Sequence, residues 1–117
     1  MTKPKTLYLH VGTHKTGTTA IQALLATRSE VFARSGLFVP RTGRTDEASG
    51  HHNIAWQLND DPRYRPECGT LEGLCGELKA SPHPVAILSS EDFEYLYCDQ
   101  AALHGLKVAF GESGYRV

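Results

Sequence analysis

The stretch Leu7-Tyr8-Leu9-His10-Val11-Gly12-Thr13-His14-Lys15-Thr16-Gly17-Thr18-Thr19-Ala20 constrains this chain more than any other. An apolar run stops at a glycine, a polar loop follows, and helical spacing begins at once. That is the order strand, anion-binding loop, helix. Gly12 and Gly17 let the backbone turn its N–H groups toward one point, and the following helix adds its free N–H groups and positive dipole end. An oxyanion is expected there. Leu7, Leu9 and Val11 alternate with Tyr8 and His10, which suits a parallel strand able to bury both faces under helices. His10 reads as a strand residue with a local hydrogen bond.

The spacing of Gly12 and Gly17 matches the glycines of a nucleotide P-loop, but Thr18 stands where an NTPase places its lysine. The lysine lies inside the loop, at Lys15. Gly-x-x-Lys-x-Gly-Thr-Thr after a short strand resembles the 5′-phosphosulfate loop of sulfotransferases that use 3′-phosphoadenylyl sulfate (PAPS). The wider string, from Tyr8 through Gly36-Leu37-Phe38-Val39-Pro40 to Ser89-Ser90-Glu91, is similar to the bacterial members of that family. The resemblance implies a P-loop-type three-layer α/β/α fold with a parallel sheet. It also implies PAPS as cofactor, adenosine 3′,5′-bisphosphate as product, and a small-molecule or carbohydrate acceptor.

With 117 residues, of which 40% are hydrophobic and 21% charged, the chain has the composition of one globular domain. Its net charge of −1 creates no global field to recruit nucleic acid or an anionic membrane, so anion binding must be local. Cys68, Cys75 and Cys98 are odd in number and share no CxxC spacing, which suggests reduced thiols. The apolar run near Met1 is too short for a signal-peptide core or a membrane span, and a cytoplasmic location is the default expectation. Nothing in the pattern sets an oligomeric state.

Along the chain, Ile21, Leu24 and Leu25 fall three and four apart, which predicts a helix from Thr18 to about Arg28 packing that face on the sheet. Ser29 reads as a capped restart of helix, and Ser35-Gly36 closes it. Leu37-Phe38-Val39-Pro40 reads as a second strand, parallel to the first in a βαβ unit. His51 to Leu58 suggests one or two helical turns with Ile54, Ala55 and Leu58 inward, and Asp61 to Pro66 breaks it; this region reads as a pocket wall. Leu71, Leu74, Cys75 and Leu78 keep helical spacing, with Cys75 in the core. Val85-Ala86-Ile87-Leu88 has the continuous apolar character of a central parallel strand. Glu94 to Tyr97 and Ala101 to Phe110 suggest two further helices, the second weakened by Gly105, and Tyr115-Arg116-Val117 starts another strand.

Open α/β sheets bind ligands beyond the carboxyl ends of their strands, so Ser89, Ser90, Glu91 and Asp92 are expected to face the same crevice as the loop. Sulfuryl transfer is governed by positioning and charge stabilisation. The backbone N–H groups of Thr16, Gly17, Thr18 and Thr19 are expected to hold the 5′-phosphate, within a cofactor set of Gly12, Thr13, His14, Lys15, Thr16, Gly17, Thr18, Thr19, Ser89 and Ser90. Lys15 is the candidate for neutralising the oxygen between phosphorus and sulfur. Glu91 is the first choice of general base, with His51 and His52 as competitors and a helix-capping role as the alternative for Glu91 itself. No metal is expected, because His51-His52 lacks a third ligand at a readable spacing.

Two other readings stay open. One is a P-loop kinase or NTPase with Glu91 or Asp92 as the Mg²⁺ acid, and the other is a non-catalytic fragment. The family's next strand delivers an arginine and a serine for the cofactor's 3′-phosphate, and these would follow Val117, so the expectation is the N-terminal part of a catalytic domain that is incomplete at its C-terminus. Isolated residues 1–117 are therefore expected to show little or no turnover in a radiolabelled sulfate transfer assay.

Overall fold

Four parallel strands, β1 (Lys5–His10), β2 (Leu37–Phe38), β3 (Val85–Ser89) and β4 (Tyr115–Arg116), form one sheet in the order β2-β3-β1-β4. The coordinates are a computed structural model describing residues 5–11, 18–44, 50–97 and 99–117. Between β1 and β2 lie α1 (Thr18–Thr27) and α2 (Ser29–Arg34); between β2 and β3 lie α3 (His52–Leu58), a 3₁₀ turn (Pro66–Cys68) and α4 (Leu71–Ala80). A 3₁₀ helix (Glu91–Tyr97) and α5 (Gln100–Glu112) join β3 to β4. The first crossover runs past β3 to the outer strand β2, and the next two run the opposite way. Right-handed crossovers then put α1 and α2 on one face and α3, α4 and α5 on the other. This is the α/β class expected from the strand and helix spacing.

The register pairs Leu7 with Ala86 and Leu9 with Leu88, so these four residues share one face, and Tyr8 and Ile87 share the other. The first face holds the core. Leu7, Ala86, Leu88 and Tyr115 pack with Ile54 and Ala55 of α3, Leu74 and Leu78 of α4, Phe93 and Leu96 of the 3₁₀ helix, and Leu106 and Phe110 of α5. The second face corrects the expectation of equal burial: Tyr8 is 59% exposed although β1 is an inner strand. The helix above it is also turned from the expected orientation. Leu25 is buried, but Leu24 and Ile21 are 52% and 44% exposed, and the buried neighbour of Leu25 is Gln22. The physical reason is a polar partner beneath α1, described below, which draws the amide of Gln22 inward.

Local chemistry sets the element ends. Gly36 closes α2 at φ +91°, the left-handed region where a side chain is strained. Ser29 is the first residue of α2 and not its cap. The side chains of Thr70 and Asp99 cap α4 and α5, accepting from the N–H groups of Gly73 and Ala102. Cys75 packs against the core as expected, its thiol 3.7 Å from the carbonyl of Ala109.

The turn after β2 is the tightest place in the fold. Glu77 accepts from the N–H groups of Arg41 and Thr42 at 3.0 and 3.1 Å, and Gly43 donates its N–H to the carbonyl of Cys68. Gly43 has φ +93°, and a Cβ there would lie 2.3 Å from Cγ1 of the buried Ile54. Gly43→Ala therefore combines left-handed strain with overpacking and is expected to cost on the order of 3 kcal/mol in urea unfolding. Gly76→Ala, at an exposed helical site with open space for a Cβ, is expected to stabilise α4 by up to about 1 kcal/mol in the same measurement.

Candidate functional site

β3 ends at Ser89, still in register with His10, and Ser90 follows it; both serines are buried. Ser90 N–H donates to the carbonyl of His10 at 3.0 Å, and Ser89 Oγ lies 2.8 Å from His10 Nδ1, the local hydrogen bond expected for that histidine. Ser89 also anchors His51. The N–H of His51 donates to the Ser89 carbonyl at 2.7 Å, while Ser89 N–H donates to His51 Nδ1 at 3.0 Å. Nδ1 being an acceptor, the proton of the neutral ring is on Nε2, and it is given to the carbonyl of Pro40 at 2.7 Å. His51 thus ties the end of β3 to the segment after β2.

Burial depresses the His51 pKa from its ordinary value to about 4, against the opposing pull of the Pro40 carbonyl. The folded state keeps the ring neutral, whereas the unfolded chain binds a proton below about pH 6.5. The resulting stability is fully present above that value and is lost as pH falls toward 4, a total on the order of 3 kcal/mol. Denaturation midpoints measured across this window are expected to fall in the native protein, and His51→Gln is expected to remove this part of the dependence.

His52, the first residue of α3, is buried beside the second serine. Its Nδ1 lies 2.6 Å from Ser90 Oγ, and Ser90 Oγ accepts the Asp92 N–H at 3.0 Å. The hydroxyl proton is then free for Nδ1, which directs the Nε2–H of the ring toward Glu91, whose Oε1 is 3.6 Å away. Ser90, His52 and Glu91 are not a hydrolytic triad, because Ser90 has no exposed surface from which to attack. They form a brace. One turn along α3, Trp56 stacks on His52 at 5.9 Å and donates its indole N–H to Asp92 Oδ2 at 2.8 Å.

A cavity of about 230 Å³ opens beside this brace, and Glu91, Asp92, Trp56, Asn59, Asp61 and Arg63 are among the residues lining it. Arg63 lies over the Trp56 ring at 4.8 Å and grips Asp61 with two side-chain hydrogen bonds of 3.0 and 2.9 Å. That grip holds the Asp61 carboxyl at about 2, below the usual range. Buried Asn53 fixes the wall from behind, donating to the carbonyls of Arg65 and Gly69 and accepting from Arg65 N–H. The region from His51 to Pro66, expected as a pocket wall, supplies Ala55, Trp56, Asn59, Asp61 and Arg63 to this cavity.

Of the expected site residues, Glu91, His52, His51, Ser89 and Ser90 come together at the carboxyl edge of the sheet. Gly12, Thr13, His14, Lys15, Thr16 and Gly17 lie outside the described residues, as do the side chains of Thr18 and Thr19, although α1 does begin at Thr18. Ser89 and Ser90 turn their hydroxyls to His10 and His52. Among the described residues no group of three or more His, Cys, Asp or Glu side chains is arranged to hold a metal ion. Nor is any described helix long and apolar enough to cross a membrane.

Sequence reasoning missed two participants. Gln22 donates its amide to Glu91 Oε2 at 3.3 Å. Gly50 is the other: a Cβ there would lie 2.7 Å from both Gln22 Oε1 and His52 Nε2, so only a residue without a side chain lets them converge. A polar residue on the apolar side of a helix was the available signal for Gln22. Compared with family models, curated proteins and solved structures, the chain matches none of them.

Proposed function

We propose that this chain carries the loop-bearing part of a sulfotransferase site that uses PAPS, with Glu91 as the base for the acceptor. The observation that carries the reading is the surroundings of Glu91. This carboxylate follows the end of β3, next to the strand that runs into the Gly12 to Gly17 loop, and it is held by Gln22 from the helix beginning after that loop. Under the rule that parallel α/β sheets bind ligands beyond the carboxyl ends of their strands, an anion held by residues 12–19 and the Glu91 carboxylate would face one crevice.

The donor set suits a phosphosulfate group: two glycines, Lys15, the paired hydroxyls of Thr18 and Thr19, and the amino end of α1. When bound, PAPS supplies an activated sulfuryl group. The backbone of residues 16–19 would bind the 5′-phosphate, and Lys15 would neutralise the charge left on the departing oxygen. Glu91 would take the proton from an acceptor hydroxyl or amine. It is preferred to the two histidines because it lines the cavity and they do not, and because both nitrogens of His51 are engaged by backbone groups.

Calorimetric titration in EDTA tests the reading. Adenosine 3′,5′-bisphosphate is expected to bind without metal, and Lys15→Ala is expected to weaken it. Binding of ATP that requires Mg²⁺, with none of the bisphosphate, would instead assign a P-loop NTPase. In a catalytically competent form, Lys15→Ala is expected to slow transfer on the order of a hundredfold, and Glu91→Gln by roughly 10² to 10⁴. A small effect at Glu91 would remove it as the base.

A further inference from the structure

Apolar side chains are left partly uncovered where β1 extends beyond β4. The two strands pair only at Lys5 and Thr6 of β1, so among the described strands none flanks Leu9 on the side away from β3. Leu9 and Val11 pack against the core but are only partly buried, and with Phe93, Leu96 and Leu103 they line a cavity of about 180 Å³. A second cavity of about 300 Å³ adjoins it, since Leu96 and Leu103 line both. The rest of its described lining is Gln100, His104 and Lys107, all exposed on α5. Leu103 and Lys107 stand about one helical turn apart, so the apolar trough runs toward an ammonium group. Neither cavity shares a described lining residue with the one beside Glu91.

We propose that this trough binds one molecule of a small amphiphile, its alkyl tail over Leu9, Val11, Phe93 and Leu96 and its carboxylate head at Lys107. Small-ligand sites are mostly apolar, with a few polar groups that fix orientation, and their volumes start at roughly 300 Å³. The two adjoining cavities have that make-up. Burial of the tail supplies the affinity, because apolar surface leaves water on both sides of the contact. Charge selects the head. Lys107 offers an ammonium and His104 a ring nitrogen at the same end, and no described carboxylate lines either cavity. The carboxylate of Asp99, at the start of α5, is turned to the N–H of Ala102. A cationic head would therefore meet like charge there, whereas an anionic head meets its complement. This site uses no residue assigned to sulfuryl transfer and stands independently of that reading.

The test uses the full chain labelled with ¹³C at leucine and valine methyls and titrated with decanoate below its micelle concentration, followed by NMR. Saturable shifts are expected at Leu9, Val11, Leu96 and Leu103. Decyltrimethylammonium, with the same tail and the opposite charge, is expected to bind roughly fivefold more weakly. Lys107→Glu, at an exposed position that the core does not need, is expected to reverse that order. Decanoate that moves no trough methyl, or that moves the exposed Leu24, Val31 and Val108 methyls as much, overturns the proposal. So does an order of affinity that ignores the charge at residue 107. Trough methyls that shift with protein concentration in the absence of any amphiphile also overturn it, because a second copy of the chain is then the occupant. Each of these outcomes leaves the assignment of Glu91 where it stands.

Discussion

The paired hydrogen bonds between the end of β3 and three histidines are the constraint on which the carboxyl edge of this protein depends. Ser89 and Ser90 spend their backbone and hydroxyl groups on His10, His51 and His52, and so join β1, the segment after β2, and α3 to one strand terminus. Burying these polar groups is favourable only because each finds a partner. Among the described residues no buried side-chain nitrogen or oxygen is left without one. A network satisfied in this way has one arrangement, and that arrangement fixes where Glu91 and Asp92 emerge.

Division of labour between the two neighbouring histidines follows from this network. His51 has both nitrogens engaged by backbone groups and is kept neutral by burial, so its contribution is mechanical and pH-sensitive. His52 instead addresses side chains, Ser90 on one nitrogen and Glu91 on the other, and stacks on the tryptophan that holds Asp92. Two identical residues in sequence thus take different roles because α3 begins between them, which turns the second ring toward the 3₁₀ helix. The cavity beside them is walled by a tryptophan, an asparagine and several charged groups, a polar surface quite unlike the apolar core beneath the sheet.

Much of the fold was legible because its signals are local. The run Val85 to Leu88 sits inside the sheet, the spacing of Leu74, Cys75 and Leu78 marks α4, and Gly36 closes α2 where a left-handed residue is needed. The failures share one physical origin. Periodicity states that a helix has an apolar side without stating which neighbour that side meets, so the outward turn of Ile21 and Leu24 and the inward turn of Gln22 were hidden. Tyr8 was misjudged for the same reason, since the cover over a strand face comes from other elements. Gly50 carries no pattern at all; its meaning is the space it leaves between two side chains that lie 30 residues apart in the chain. The cluster of Ser89 to Asp92 was found, but the use of both hydroxyls as internal braces depends on histidines that only the fold brings near.

The central claim is that a glycine-hinged loop and a gripped carboxylate share one crevice and serve transfer of a sulfuryl group. A crystal structure of the chain with adenosine 3′,5′-bisphosphate tests it most directly. The account predicts the 5′-phosphate against the backbone of residues 12–19, with the Lys15 amine beside it and Glu91 facing the cavity next to the phosphate. A nucleotide seated elsewhere, or a filled loop with the Lys15 amine turned into solvent, would contradict it.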